Sequence, residues 1–283
     1  MTTFPPLPDL ILEPLVRAAL TEDLGGQGDL TTRAVIPHDL TYDAAIVARE
    51  AGVVSGMQIA ALAFRLVDPA LRIETLRPDG ASCVKGDALM RISGRAASIL
   101  MAERVALNFA GRMSGIATLT AAFVAETAGT TARITCTRKT TPGLRIVEKQ
   151  AVLHGGGTNH RFGLFDAVLI KDNHIAAVGG ICAALSSARA ALGHMVKVEV
   201  EVDRLDQLAE LLETGGADAV LLDNMDTATL RESVAMVDGR LVTDASGNMR
   251  RDRIAEVAAT GVDYISCGAL THSAQVLDLG LDF

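Results

Sequence analysis

The sequence predicts an α/β protein in two parts, a small α+β unit followed by an α/β barrel. From about residue 115 onward the chain alternates six short β-branched runs with Ala-rich helical runs, the pattern of a parallel sheet covered by helices. Before that point the strand-like runs are separated by Gly, Pro and Asp rather than by long helices. Hydrophobic residues make up 49% of the 283 positions, enough to bury a large core, and with 3% aromatics and no Trp that core is aliphatic.

The first part opens with "LILEPLVRAALTEDLG", helical in its spacing and stopped by Gly25 and Gly26. The runs "AAIVARE", "LRIETL" and "ALMRIS" read as short strands, and "MQIAALAFRLVD" as an apolar helix. Residues 98–116 place Met101, Val105, Phe109 and Met113 at i, i+4 spacing, the buried stripe of a long helix. Arg104, Asn108 and Arg112 form a polar stripe beside it, which spacing alone assigns to a solvated face. The strands of the second part are 132–137, 167–171, 196–201, 219–223, 241–246 and 263–267, with helices in "GICAALSSARAAL", "RLDQLAELLET" and "RRDRIAEVAAT". So many repeats favour a barrel over an open sheet.

Composition excludes several classes. With 34 acidic against 26 basic side chains the formal charge is -8, and aromatic stacking surfaces are scarce, so nucleic acid is not the expected partner. Cys83, Cys136, Cys182 and Cys267 are far apart and match no zinc spacing, so they read as reduced thiols in the core. The N-terminal "MTTFPPLPDLILEPL" has neither a basic leader nor a long apolar run, so no membrane span is expected and the cytoplasm is the expected location.

Against that acidic background, Arg138, Lys139, Arg145, His154, His160, Arg161 and Lys171 crowd into one short span. Like charges this close repel unless something compensates them, and a polyanionic ligand would. The strand ends sort by chemistry. Arg138 and Lys139 follow the first strand and Lys171 ends the second; Glu201 and Asp223 end the middle two; Ser246, Gly247 and Gly268 follow the last two. In parallel α/β folds these ends share one rim. Arg suits bidentate contacts to carboxylate or phosphate, and small residues let backbone N–H groups approach a phosphate. The carboxylates would accept hydrogen bonds from sugar hydroxyls, hold a metal-bound water, or simply balance the cations of the empty site. The glycines of "HGGGTNHR" suggest a loop that approaches a ligand closely, although they match no nucleotide fingerprint.

In order and spacing, "EDLGGQGDLTT", "ERVALNFAGRMSGIAT", "TRKTTPGLR", "HGGGTNHRFGLFDAVLIKDNH", "VEVEV", "VLLDN", "ASGN" and "DYISCGALTHSA" resemble the motifs of the quinolinate phosphoribosyltransferases, from about residue 22 to 274. The resemblance implies an N-terminal α/β sandwich domain (1–112) and an incomplete parallel α/β barrel (113–283), with the extreme C-terminus packing back on the first domain. It implies transfer of phosphoribosyl from 5-phosphoribosyl 1-pyrophosphate (PRPP) to quinolinate with decarboxylation, giving nicotinate mononucleotide, pyrophosphate and CO2 in NAD biosynthesis. Mg2+ would be bound mainly through the PRPP diphosphate, with no protein metal site.

By the same likeness, Arg138, His160, Arg161 and Lys171 surround the quinolinate carboxylates, and Lys139 lies between them and the diphosphate. Glu201 and Asp223 match acids near the ribose hydroxyls and Mg2+, and Lys139, Lys171, Glu201 and Asp223 are the expected catalytic set. Ser246, Gly247 and Gly268 match the 5-phosphate loops. Arg104 matches an arginine that reaches the neighbouring site of a homodimer. One extra residue between "VEVEV" and "LLDN" leaves Glu199 and Glu201 exchangeable by spacing; both share a strand face, and Glu201 is nearer the rim. A related enzyme of another substrate, a Schiff-base aldolase using Lys171, and a non-catalytic phosphate-binding module are the alternatives.

Overall fold

A computed structural model describes residues 5–283; the first four residues of the N-terminal stretch read above lie outside it. In chain order the elements are α1 (Asp9–Leu24), α2 (Leu30–Val35), β1 (Thr41–Ala48), β2 (Gly52–Val53), α3 (Met57–Val67), β3 (Arg72–Thr75), β4 (Ser82–Cys83), β5 (Ala88–Arg95), α4 (Ala96–Ala125) and β6 (Arg133–Thr135). There follow α5 (Arg145–His154), β7 (Val168–Ile170), α6 (Asp172–Val178), α7 (Ile181–Ala191), β8 (Val198–Val202), α8 (Leu205–Thr214) and β9 (Ala219–Asp223). The chain ends with α9 (Thr227–Val237), β10 (Val242–Ser246), α10 (Arg251–Ala258), β11 (Tyr264–Ser266), α11 (Ala269–His272) and β12 (Leu279–Asp282).

Two compact units result. The first gathers residues up to Ala121 with Thr141–Gly156 and Ser273–Phe283; the second holds Ala122–Thr140 and Gly157–His272. In the first, an antiparallel sheet in the order β12-β1-β5-β3 is accompanied by α1 and α3, which pack on each other. Helix α3 buries Met57 and every residue from Ile59 to Phe64, and each large apolar side chain so removed from water contributes about 1.5–3 kcal/mol. Its three separate stretches of chain meet at one charged junction. The Arg112 guanidinium donates to the fully buried Glu148 carboxylate at 2.9 Å and to the Ala274 carbonyl at 3.1 Å, while the Thr141 N–H donates to the other Glu148 oxygen at 3.1 Å. Arg112, placed on the solvated stripe by spacing, is therefore a tie between α4, α5 and the C-terminal segment.

The second unit is a parallel sheet in the order β6-β11-β10-β9-β8-β7. The strands β7 to β11 follow one another in sequence and β6 closes on β11, so the order is that of an α/β barrel left open between β6 and β7. Adjacent strands in sequence neighbour one another because each helix returns the chain in the same right-handed sense. Along β8, Val198, Val200 and Val202 are buried while Glu199 and Glu201 alternate with them on the opposite face. The ladder sets Leu169 beside Glu199, Glu201 beside Leu221, Leu221 beside Asp244, and Asp223 beside Ser246. One face of the sheet therefore carries the polar residues.

Three local readings are corrected. The long helix runs from Ala96 to Ala125 rather than 98–116, because nothing in the Ala-rich continuation breaks it. Cys83, Cys136 and Cys267 are buried thiols, but Cys182 is exposed on α7. Gly155 is not a ligand-approach glycine: a Cβ there would lie 2.4 Å from the Ala117 carbonyl oxygen, so it permits close packing of backbone against α4. No single helix among the described residues is long and apolar enough to cross a membrane.

Candidate active site

A cavity of about 750 Å³ opens at the C-terminal ends of the six parallel strands. Its walls include Arg138, Lys139, His160, Arg161, Lys171, Glu201, Asp223, Ser246, Gly247 and Gly268, residues drawn from all six strand ends and the 157–166 loop. Period-two alternation accounts for much of this lining: Leu169 with Lys171, Leu221 with Asp223, and Ser266 with Gly268 sit two apart on one face. The basic span divides. Arg145 and His154 belong to the other unit, where His154 Nδ1 lies 2.8 Å from the Ser55 hydroxyl. Arg104 does not line the cavity either, and is exposed on α4.

The cations are held rather than left to swing freely. Arg161 donates through Nη1 to the Ala167 carbonyl at 3.0 Å, and its buried Nε has no hydrogen-bond partner. Burial first, and then the neighbouring Arg138 charge, depress the pKa of its guanidinium, with Glu199 opposing. A guanidinium destabilised in this way is poised for an anion. Lys171 Nζ makes a short contact with the Glu201 carboxylate across β7 and β8. The Lys171 N–H is accepted by His174 Nδ1 at 2.9 Å, which fixes the start of α6.

Lys139 lies along Gly268, where an added Cβ would come within 2.9 Å of its Cδ, and the Thr271 hydroxyl donates to the Lys139 carbonyl at 2.7 Å. Gly247 has φ +96°, and a Cβ there would fall 2.2 Å from Asn224 Oδ1, so only glycine fits. Asn224 and Asn248 themselves adopt φ of 55° and 46°, the left-handed conformation that asparagine tolerates best among side-chain-bearing residues. These turns bring backbone N–H groups and two side-chain amides to the rim beyond β9 and β10. Asn224, Asn248, His272 and Thr137 line the cavity without having been singled out, although "LLDN", "ASGN" and "GALTH" contain three of them.

Glu201 forms part of the cavity wall, whereas Glu199 sits behind it with its carboxylate 2.8 Å from His160 Nε2. Asp244 is buried beside this pair and accepts from the Ser266 hydroxyl at 2.7 Å. Burial and the Glu199 charge push its carboxyl up to about 7.

The family model for the C-terminal domain of quinolinate phosphoribosyl transferase matches residues 116–282, and that for its N-terminal domain matches residues 29–114. The chain belongs to the quinolinate phosphoribosyl transferase family. Among its relatives, the chloroplastic nicotinate-nucleotide pyrophosphorylase [carboxylating] of Arabidopsis thaliana is 44% identical, over 98% of this chain and 84% of that protein. A probable nicotinate-nucleotide pyrophosphorylase [carboxylating] of Bacillus subtilis is 42% identical, over 96% of this chain and 93% of that protein. In solved structures of the family, NadC from Streptococcus pyogenes superposes with a TM-score of 0.95 at 38% identity, covering 99% of this chain and 98% of that one. Nicotinate-nucleotide pyrophosphorylase from Ehrlichia chaffeensis gives 0.91 at 40% identity, covering 95% and 97%.

Proposed function

We propose that this chain transfers the phosphoribosyl group of PRPP to quinolinate with loss of CO2, releasing pyrophosphate and nicotinate mononucleotide for NAD biosynthesis. The observation that carries the proposal is the crowding of Arg138, Lys139, His160, Arg161 and Lys171 around one cavity in a protein of net charge -8. Such a wall suits a dicarboxylate and a phosphorylated sugar held together against their own repulsion.

The pyridine nitrogen displaces pyrophosphate at the anomeric carbon, and no side-chain nucleophile is needed. Arg138, His160, Arg161 and Lys171 hold the two carboxylates and so orient the ring nitrogen. Lys139, lying over Gly268, faces the departing diphosphate and offsets its charge. Glu201 and Asp223 accept from the ribose hydroxyls, and Ser246, Gly247 and Gly268 bind the 5-phosphate through small side chains and backbone. Hard carboxylate oxygen at the rim fits Mg2+, which keeps several waters and prefers phosphate oxygens, so Asp223 would hold it through water while PRPP supplies most of its ligands. When bound, Mg2+ neutralises charge on the leaving diphosphate.

The test is pyrophosphate and CO2 release from PRPP and Mg2+ with quinolinate and, in parallel, nicotinate. Equal amounts of both products with quinolinate alone are expected. Silence with both pyridines would favour the phosphate-binding module and sink this reading.

The homodimer also belongs to the proposal. Exposed Arg104, in a motif that resembles the family's, would complete the neighbouring copy's site. Mixing the separately inactive Arg104→Ala and Lys171→Ala variants is expected to restore about a quarter of wild-type activity if half the chains pair as hybrids and each hybrid has one intact site. Proven heterodimers without activity would refute the sharing of Arg104.

A further inference from the structure

Glu199, Asp244 and Ser266 have no role in the reaction as derived above, yet they cluster behind His160, which lines the cavity, as two hydrogen-bonded pairs, His160 with Glu199 and Ser266 with Asp244. His160 Nε2 is 2.8 Å from Glu199 Oε2 and 4.0 Å from Asp244 Oδ2, and one ligand-type atom from each of the three residues lies within 4.8 Å of the others. The Ser266 hydroxyl holds Asp244 Oδ2, while Asp244 Oδ1 is buried with no hydrogen-bond partner. Asp244 is only 3% exposed. Burial and the neighbouring Glu199 carboxylate both disfavour an ionised Asp244.

The groups facing Asp244 bear this out. From β8 comes the Glu199 carboxylate, from β11 the Ser266 hydroxyl and, next to it, the Cys267 thiol, and from the loop the His160 ring. The flanking strand positions are Leu221 and Tyr264. The Arg161 guanidinium interacts with this group through Glu199. With Asp244 raised to about 7, a good part of the molecules still carry a proton there at neutral pH.

The reaction, on the reading proposed above, needs that proton. Loss of CO2 breaks the bond between the carboxylate carbon and the ring carbon and leaves the electron pair on the ring carbon, which must then form a C–H bond. We propose, resting on that reading, that Glu199 and Asp244 keep a shared proton behind His160 and pass it through the imidazole to the ring carbon that CO2 leaves. The His160 ring gives up an N–H proton to the carbon and takes one back at Nε2 from the carboxyl pair, which recovers its own from water after product release. His160 touches the substrate; Glu199 and Asp244 act through it as positioning residues.

The experiment follows pyrophosphate and CO2 separately in single turnovers of the Asp244→Asn variant with PRPP, Mg2+ and quinolinate, with mass analysis of the nucleotide formed. The amide keeps the shape of the acid and cannot give up a proton. Release of CO2 is expected to slow by about tenfold or more relative to pyrophosphate release. A nucleotide that still carries both carboxylates accumulates, and the pH dependence of CO2 release flattens between pH 5 and 8. Pyrophosphate and CO2 appearing together, with the wild-type pH profile, would overturn the relay. Glu199→Gln provides the same partition test should Asp244→Asn fail to fold. Inactivity of the wild-type chain toward quinolinate would instead overturn the proposed function itself, so the two failures are distinguishable.

Discussion

Arg161→Ala is expected to lower kcat/KM for quinolinate by about 100-fold or more while leaving the folded chain as stable as before. Two quantities decide this. Removing one partner of a desolvated charge pair costs about 2–5 kcal/mol in binding, and 100-fold corresponds to roughly 2.7 kcal/mol within that range. In the empty site, by contrast, Arg161 is a liability: its guanidinium is destabilised by burial and by Arg138, and its Nε has no partner. Alanine forfeits the bond from Nη1 to the Ala167 carbonyl, worth about 1 kcal/mol, and relieves the burial of a guanidinium beside the like charge of Arg138. Thermal unfolding beside steady-state rates checks both halves. A variant that loses activity only in proportion to lost folding would make Arg161 structural. Lys139, exposed and lying along Gly268, bears on the leaving diphosphate, so its alanine variant depresses kcat more than it raises KM.

The rim was legible because strand ends are local. "AVLIK", "VEVEV", "AVLLD" and "LVTDAS" each announce a short strand, and period-two alternation then fixes which residues share the cavity face. What stayed hidden depends on partners from elsewhere in the chain. Helix α5 escaped notice because its sequence RIVEKQAVLH is too polar to display an apolar stripe, and its Glu148 and Lys149 are completely buried. Glu148 can be buried only because Arg112, 36 residues earlier, meets it there, a pairing no local pattern records. Strand β12 depends likewise on β1, more than 230 residues away. The glycines of "HGGGTNHR" read as a ligand loop, and Gly155 proved to be a packing glycine, because glycine signals close approach without saying of what. Asp244 was visible only as part of a strand. Alternation from Ser246 places it on the cavity face, but its burial against Glu199 requires β8 and β10 to be brought to either side of β9.

That burial has a measurable cost. Asp244→Asn is expected to stabilise the folded chain by roughly 3 kcal/mol at pH 8, with the gain disappearing as the pH falls toward 4. Asp244 is raised from an ordinary 3.8 to about 7 in the folded state. Between those values the folded chain holds a proton that the unfolded chain has released, so the wild type becomes more stable as pH falls through about 7 and carries the full penalty above it. A rise of that size corresponds to roughly 4 kcal/mol, an upper bound on what the substitution recovers. Asparagine is neutral throughout, so it escapes the penalty. Urea unfolding of both proteins at pH 8, 6 and 4.5 measures the difference, and a gap that does not change with pH would mean that Asp244 ionises as an ordinary carboxylate. A buried aspartate that weakens the fold at neutral pH has to be explained by what it does with its proton. His160 lines the cavity and hydrogen-bonds the Glu199 side of this pair, which is where the reaction would draw on it.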